Sequence, residues 1–326
     1  MRGMHRALPF AISLAGSAVL AMAAVAVASA HGDSAPEPSL TAIFTSWSSD
    51  PLPWLGIVAA TAAYLVAVRF VNRAHPRSPV PAWRIAAWLA GVAVIGLALV
   101  SAVDVYADSV FSIHMLQHLL LAMVAPPLLA LGAPTTLALR AATPALRRSL
   151  LLPVLHSRLV RAVSWPPLGW IVFSVVMWAT HFSPLFNAAL ENELLHSLEH
   201  LLYLAAGLLF WWPVVGADPS RWRLGSIGRM AYLAAQMPVN TAVGLVILFA
   251  PNVLYAHYAT LDRGWGPDPM TDQQVAGAVM WGAGDVILLL ALALAIAAWL
   301  RADEKRSRRS EERAARREEP APFESS

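Results

Sequence analysis

Two pairs of histidines, His114 with His118 and His196 with His200, are each spaced four residues apart near the head of a long apolar run. That spacing is one helical turn, so both members of a pair leave the same helix face. An imidazole buried in hydrocarbon is costly unless it pairs, ligates or lines water. Two pairs at matched depth, with His181 between them in sequence, point to a metal or haem site; the alternative is amphipathic side chains at the headgroup level. Glu193 precedes His196 by three and shares its stripe, whereas Glu199 points about 100 degrees away. The chain has no cysteine, which removes disulfides, thiolate metal sites and thiol redox chemistry together. Imidazole without thiolate or a carboxylate cage suits copper, zinc or iron and not calcium or magnesium. Met115 adjoins the first pair and offers a thioether that suits Cu(I), although most of the ten methionines fill packing gaps.

The elements that must carry these side chains follow from composition. Of 326 residues, 58% are hydrophobic and 13% charged, with a mean hydropathy of +0.57, which is the balance of a multi-span membrane protein. Apolar windows of about 20 residues mark spans near 7–29, 53–71, 83–103, 110–131, 166–181, 194–215, 230–250 and 276–300, the window at 166–181 being the shortest. The first window differs from the rest. It follows Arg2 and Arg6, is rich in Ala and Val, and ends on Ala28-Ser29-Ala30, the pattern of a cleavable signal peptide over 1–30. Its removal leaves an all-α polytopic bundle of seven spans over 53–300, an extracytoplasmic segment 31–52 before it and a charged tail 301–326 after it. His31 then becomes the first residue, and its free amine and imidazole together can chelate a metal. An uncleaved first helix is the alternative.

Arginine sets the orientation. Arg69, Arg73, Arg77 and Arg84 cluster in one loop, Arg140, Arg147, Arg148, Arg158 and Arg161 in another, and Arg221, Arg223 and Arg229 in a third; the tail after Leu300 is denser still. These segments are expected to be cytoplasmic. The intervening segments carry Asp104, Asp108, Glu191, Glu193, Asp262, Asp268 and Asp272, with Arg263 as the exception, and are expected to face outward. His114, His118, His181, His196, His200 and His257 all fall on that outer side, while His5, His75 and His156 fall on the inner one. The tail mixes both signs at helical spacing before turning Pro- and Ser-rich, a solvated helix that frays into disorder. Inside loops account for the net charge of +3, so a basic pI implies no nucleic acid.

Two further features lie within the spans. Asp285, in "MWGAGDVILLL", stands about 13 Å into the last span. An isolated carboxylate there reads as a functional site, or as a protonated acid bonded to Asn240 or Gln236; Gly282 and Gly284 beside it permit a close helix approach. Pro126 and Pro127 interrupt the first histidine span, freeing the carbonyls of Ala122 and Met123 one turn below His118, and the kink is expected to open a polar hollow on that face.

With these residues in view, "HMLQHLLLAMVAPPLLALGAP" resembles the most recognisable block of the CtaG family of cytochrome c oxidase assembly factors, named from the caa-type oxidase. "WSSDPLPWLGIVAATAAYLVAVRF", "LLHSLEHLLYLAAGLLFWWPVVG" and "DQQVAGAVMWGAGD" are similar to three others, and together they touch most of the chain from Trp47 to about Leu300. A different assembly factor shares the CtaG name but has one span and copper-binding cysteines, which this cysteine-free chain excludes. The resemblance implies a polytopic protein of the bacterial plasma membrane needed to form active oxidase, with a part in supplying copper to the oxidase's binuclear centre. Its histidine blocks map onto His114, His118, His196 and His200.

The leading expectation is therefore a non-enzymatic assembly factor that takes copper on the outer side, from an extracytoplasmic donor, and passes it to oxidase subunits. The alternative is a haem protein with bis-histidine ligation that moves electrons. A copper importer or exporter would need a polar path to the inner face, yet below Asp285 the last span reads "VILLLALALAIAAWL". A di-iron oxidase would use two Glu-x-x-His motifs, and only Glu193 with His196 is present.

Overall fold

A computed structural model describes residues 35–318 of the chain. The segment read as a signal peptide, with His31, lies outside the described residues. Among these residues the regular elements are all helical, and six helices are long and apolar enough to cross a membrane, or seven when one bent pair counts as a single span. After the short α1 (Leu40–Thr45), α2 (Pro51–Ala74) begins on an Asp50 carboxylate that accepts from the Leu52 N–H. Prolines at its start cost nothing, because first-turn N–H groups have no helical partner. α3 (Ala82–Val100) runs back, and α4 (Ala102–Ala107) turns the chain into the third span.

The third span is α5 (Phe111–Leu119), a π-helical turn over Leu120–Val124, α6 (Ala125–Leu131) and α7 (Pro134–Ala141). It is the central post of the bundle: 72% of its apolar window is buried, against 33% for α2 or α3. Proline chemistry explains its middle. Neither Pro126 nor Pro127 can donate to the carbonyls a turn above, and the chain answers with the π turn, in which the Ala125 N–H donates to Leu120 five residues back. Gly207, on α10 (Glu193–Val215), faces this step. A Cβ at Gly207 would stand 2.7 Å from Pro126 Cγ and collide with the Ala122 carbonyl oxygen, so only glycine lets the two backbones meet there. The sequence reading expects a polar hollow on this face; instead Gly207 closes it, and the open space lies between α2, α3 and α10.

Both helix starts in the central span are capped from afar. Asp272 accepts from the Phe111 N–H at 2.8 Å and the Ser112 N–H at 3.1 Å, opening α5. Asp218 accepts from the Thr135 and Thr136 N–H groups at 3.1 and 2.6 Å, reopening the helix as α7 after Ala133 takes a φ of 50°. This restart carries the span to Ala141, beyond the apolar window that ends near residue 131.

α8 (Pro166–His181) is the short span, and it continues after a 70° bend into α9 (Pro184–Glu191). α11 (Ser226–Leu248) returns, α12 (Ala256–Thr260) crosses the histidine end, and α13 (Pro269–Glu318) runs unbroken from the last span into the charged tail. Asp285 on α13 accepts from Asn240 Nδ2 at 3.0 Å and Thr241 Oγ1 at 2.5 Å. Of the two glycines beside it, Gly284 meets the Asn240 side chain while Gly282 faces open space.

Candidate metal centre

α5 delivers His114 and His118 one turn apart, with ring centroids separated by 4.2 Å, and α10 delivers His196 and His200 in the same way at 4.3 Å. Because Gly207 draws α10 against the central span, the two pairs meet. The His114 and His196 rings stack at 5.1 Å, and those of His118 and His200 lie 5.9 Å apart. Ligand nitrogens of His114, His118 and His196 all fall within 4.8 Å of one another. His114 and His118 are wholly buried, His196 is 7% exposed and His200 is half-buried. His181, at the end of α8, places its ring 6.0 Å from that of His118.

Hydrogen bonds around the cluster fix which nitrogen carries the lone pair in His114, His181 and His200. His114 Nδ1 lies 3.0 Å from the Tyr258 hydroxyl, which itself donates to the Ala107 carbonyl at 2.9 Å. Burial, then the Asp108 and Asp272 carboxylates, holds the Tyr258 hydroxyl well above the usual phenol range, so it keeps its proton. His114 Nδ1–H is then the donor, and the bare Nε2, buried without a hydrogen-bond partner, is left for a ligand. His181 follows the same logic. Its Nδ1 sits 2.7 Å from the Met177 carbonyl, which can only accept, and its buried Nε2 has no hydrogen-bond partner. At His200, Nε2 lies 3.2 Å from Gln117 Oε1, whose amide donates to the Ala98 carbonyl and to Asp104. That network makes Nε2–H the donor and turns Nδ1 into the lone pair. Neither ring nitrogen of His118 has a hydrogen-bond partner among the described residues.

Buried polar atoms are satisfied as a rule, and a group of buried histidines within ligand distance of one another, with ring nitrogens that lack a hydrogen-bond partner among the described residues, calls for a ligand. Imidazole binds zinc-like ions at about 2.0 Å in a tetrahedron, which puts neighbouring nitrogens roughly 3.3 Å apart. The three histidines, with ligand atoms within 4.8 Å of one another, are close enough that side-chain rotation alone can draw them to that spacing, so they fit a small transition-metal ion. Aromatic rings seal them: Phe186, carried over by the bend before α9, lies 5.2 Å from His114 and 6.0 Å from His181, and Tyr203 lies 4.2 Å from His118. One side stays open, where Asp50, Asp104 and Glu193 line a cleft of about 90 Å³ with His196 and His200.

The remaining residues read from the sequence fall elsewhere. Met115 is fully buried in the apolar core. Asp285 sits 13 residues past Asp272, about 20 Å along α13, in its own bonds to α11. His257 donates to the Asp108 carbonyl. Sequence spacing misses Gln117, Tyr258, Tyr203 and Phe186, although Gln117 stands inside the "HMLQH" block itself. Glu199, read as pointing off the histidine stripe, is buried beside Tyr203.

Fold and cluster together define a polytopic membrane protein with a candidate ligand site enclosed between its spans. Residues 62–302 match the family described as cytochrome c oxidase caa3 assembly factors (Caa3_CtaG), and the chain belongs to that family. Similar proteins include uncharacterised proteins of Mycobacterium bovis and Mycobacterium tuberculosis, each 27% identical over 285 residues that make up 85% of this chain and 43% of the relative. One from Mycobacterium leprae is 29% identical over 276 residues, 82% of this chain and 41% of its own length. The chain thus spans less than half the length of these relatives. No solved structure matches.

Proposed function

We propose that the protein binds a copper ion on His114, His118 and His196, with His200 and His181 as neighbouring exchange ligands, and passes it to a cytochrome c oxidase subunit during assembly. The observation that carries this reading is the gathering of the buried His114, His118 and His196 within ligand distance of one another, with His114, His118 and His181 each holding a ring nitrogen that has no hydrogen-bond partner among the described residues. An all-imidazole set without thiolate suits an ion that must leave again by ligand exchange. The acid-lined cleft beside His196 and His200 gives a cation its way in and out. No catalytic step is needed, and the role is non-enzymatic.

The same reading places the histidine end on the outer side of a bacterial plasma membrane and the long α13 tail in the cytoplasm, because the arginine-bearing connections cluster at the other end. An extracytoplasmic copper donor then loads the site, after removal of residues 1–30. The direct rings-on-rings packing of the cluster, with Phe186 and Tyr203 against it, favours a small ion over the bis-histidine haem alternative.

Metal analysis of purified protein, paired with the His114→Ala/His118→Ala variant, tests this. Copper at about one per chain is expected in the native protein and loss in the variant, with oxidase activity lowered while the variant remains abundant in the membrane. Added copper should shrink the defect by mass action, and oxidase haem should persist. A Soret band in the purified protein, loss of oxidase haem, or no defect at any copper level would defeat the copper reading. His75→Ala, at the opposite end, is the silent control.

A further inference from the structure

At the end of the bundle away from the histidines, a second cavity of about 670 Å³ opens between α7, the last turns of α10 and the short helical segments over 144–163. Its place is set by α10: Trp212, on its wall, lies 16 residues beyond His196, about 24 Å along the axis. The volume falls within the range of about 300–1,000 Å³ typical of small-molecule sites. Leu139, Leu155, Leu208, Leu209 and Trp212 make apolar walls, while Arg161, Arg221 and Arg223 stand at the mouth. The Trp222 indole donates to the Arg161 carbonyl at 2.9 Å, which holds the loop carrying Arg221 and Arg223 against the helix carrying Arg161.

These three guanidiniums are exposed, and among the described residues no carboxylate forms an ion pair with them. Three like charges crowded at one opening repel one another and favour an anion. The surface beside the mouth is greasy: Leu150, Val154, Leu159 and Trp165 are 45% to 72% exposed, as befits helices lying in a membrane interface. A ligand here must be anionic at one end and apolar at the other, and must arrive from the bilayer.

We infer that this cavity is a binding site for an anionic phospholipid, its phosphate held by Arg161, Arg221 and Arg223 and its acyl chains laid along the leucine wall. Basic pockets between spans are suited to such headgroups. The site is separate from the histidine cluster and does not depend on the copper reading.

The test is lipid retention by the full-length protein. Protein is placed in nanodiscs of equal phosphatidylglycerol and phosphatidylcholine, re-extracted in mild detergent, and its bound lipid measured by mass spectrometry. Phosphatidylglycerol should be enriched by about fivefold for each arginine engaged. The Arg161→Gln/Arg221→Gln/Arg223→Gln variant should lose the enrichment, and Leu139→Trp, which narrows the space along the leucine wall but keeps the charges, should lower retention of either lipid. Equal lipid ratios in the native protein, or enrichment unchanged in the arginine variant, would overturn the site. Inorganic phosphate that protects against thermal unfolding as well as phosphatidylglycerol does would also overturn it, by showing an anion site without a lipid.

Discussion

The two ends of the bundle share one helix, α10, and are built on opposite principles. At the histidine end, the His114, His118, His181 and His196 rings are buried, with Phe186 and Tyr203 packed against them, and His200 stands half-buried at the cleft. At the arginine end, permanent charges ring an open, apolar-walled cavity. An imidazole can be buried because it sheds its charge, whereas a guanidinium cannot, so it must stay at water or bring an anion with it. The chemistry of each end is therefore decided by whether its side chains can be neutral. The central span ties both together, since a buried aspartate caps each of its helix starts, Asp272 at α5 and Asp218 at α7.

The largest expected effect removes what the two ends have in common. Gly207→Val drives a branched side chain into the Ala122 carbonyl and Pro126, and overpacking of this kind costs about 3 kcal/mol. Thermal unfolding in detergent should show the loss, and copper binding should fail with it because α10 can no longer bring His196 to His114. Retained copper binding at a native melting temperature would show that the helices meet without the glycine contact.

Next come the two caps, which separate the ends. Asp272→Ala leaves the buried Phe111 N–H and the half-buried Ser112 N–H without their acceptor and Arg263 without the carboxylate 3.7 Å away, at a cost of at least about 2 kcal/mol, and loosens the turn that aims His114. Asp218→Ala should cost a similar amount at α7 but leave copper affinity unchanged. Equal copper losses in both variants would mean that the ends are not independent.

Smaller again is the orienting bond to His114. Tyr258→Phe removes the hydroxyl that fixes Nδ1–H, and loss of such an outer partner lowers metal affinity at least about tenfold, or about 1.4 kcal/mol. Titration with a competing Cu(I) chelator reads this directly. Tyr232→Phe, a hydroxyl lost far along α11, should leave the titration unchanged.

Much of this was open to inspection in the chain. The spans are written in apolar windows, and the four-residue spacing of each histidine pair puts both its rings on one helix face. The window at 166–181 reads only as the shortest span, and the 70° bend that swings Phe186 over the site comes from the fold. What the chain does not state is pairing across distance. Tyr258 meets His114 over 144 residues, and Asp272 caps Phe111 over 161; neither spacing nor periodicity encodes such contacts, because they arise only once helices have packed. The proline step shows the same limit. Pro126 predicts a freed carbonyl, but not that the π turn and Gly207 would close over it.

Asp285 supplies the smallest effect and the sharpest control. Read from the sequence, it stands as a candidate for the metal site. In the fold, both its oxygens accept, from Asn240 and Thr241, and it lies well down α13 from the cap that marks the level of the histidines. Asp285→Asn keeps the shape and one acceptor, while the other oxygen becomes an amide that can only donate, so the Thr241 hydroxyl must turn from donor to acceptor and give up its bond to a carboxylate. The expected cost is about 1 kcal/mol of stability with no change in copper stoichiometry or affinity. An Asp285→Asn protein that binds copper more weakly, at an unchanged melting temperature, would extend the ligand path down α13 and toward the arginine end. The two ends would then be joined by a route through the membrane, and copper transport would displace copper delivery as the account of the fold.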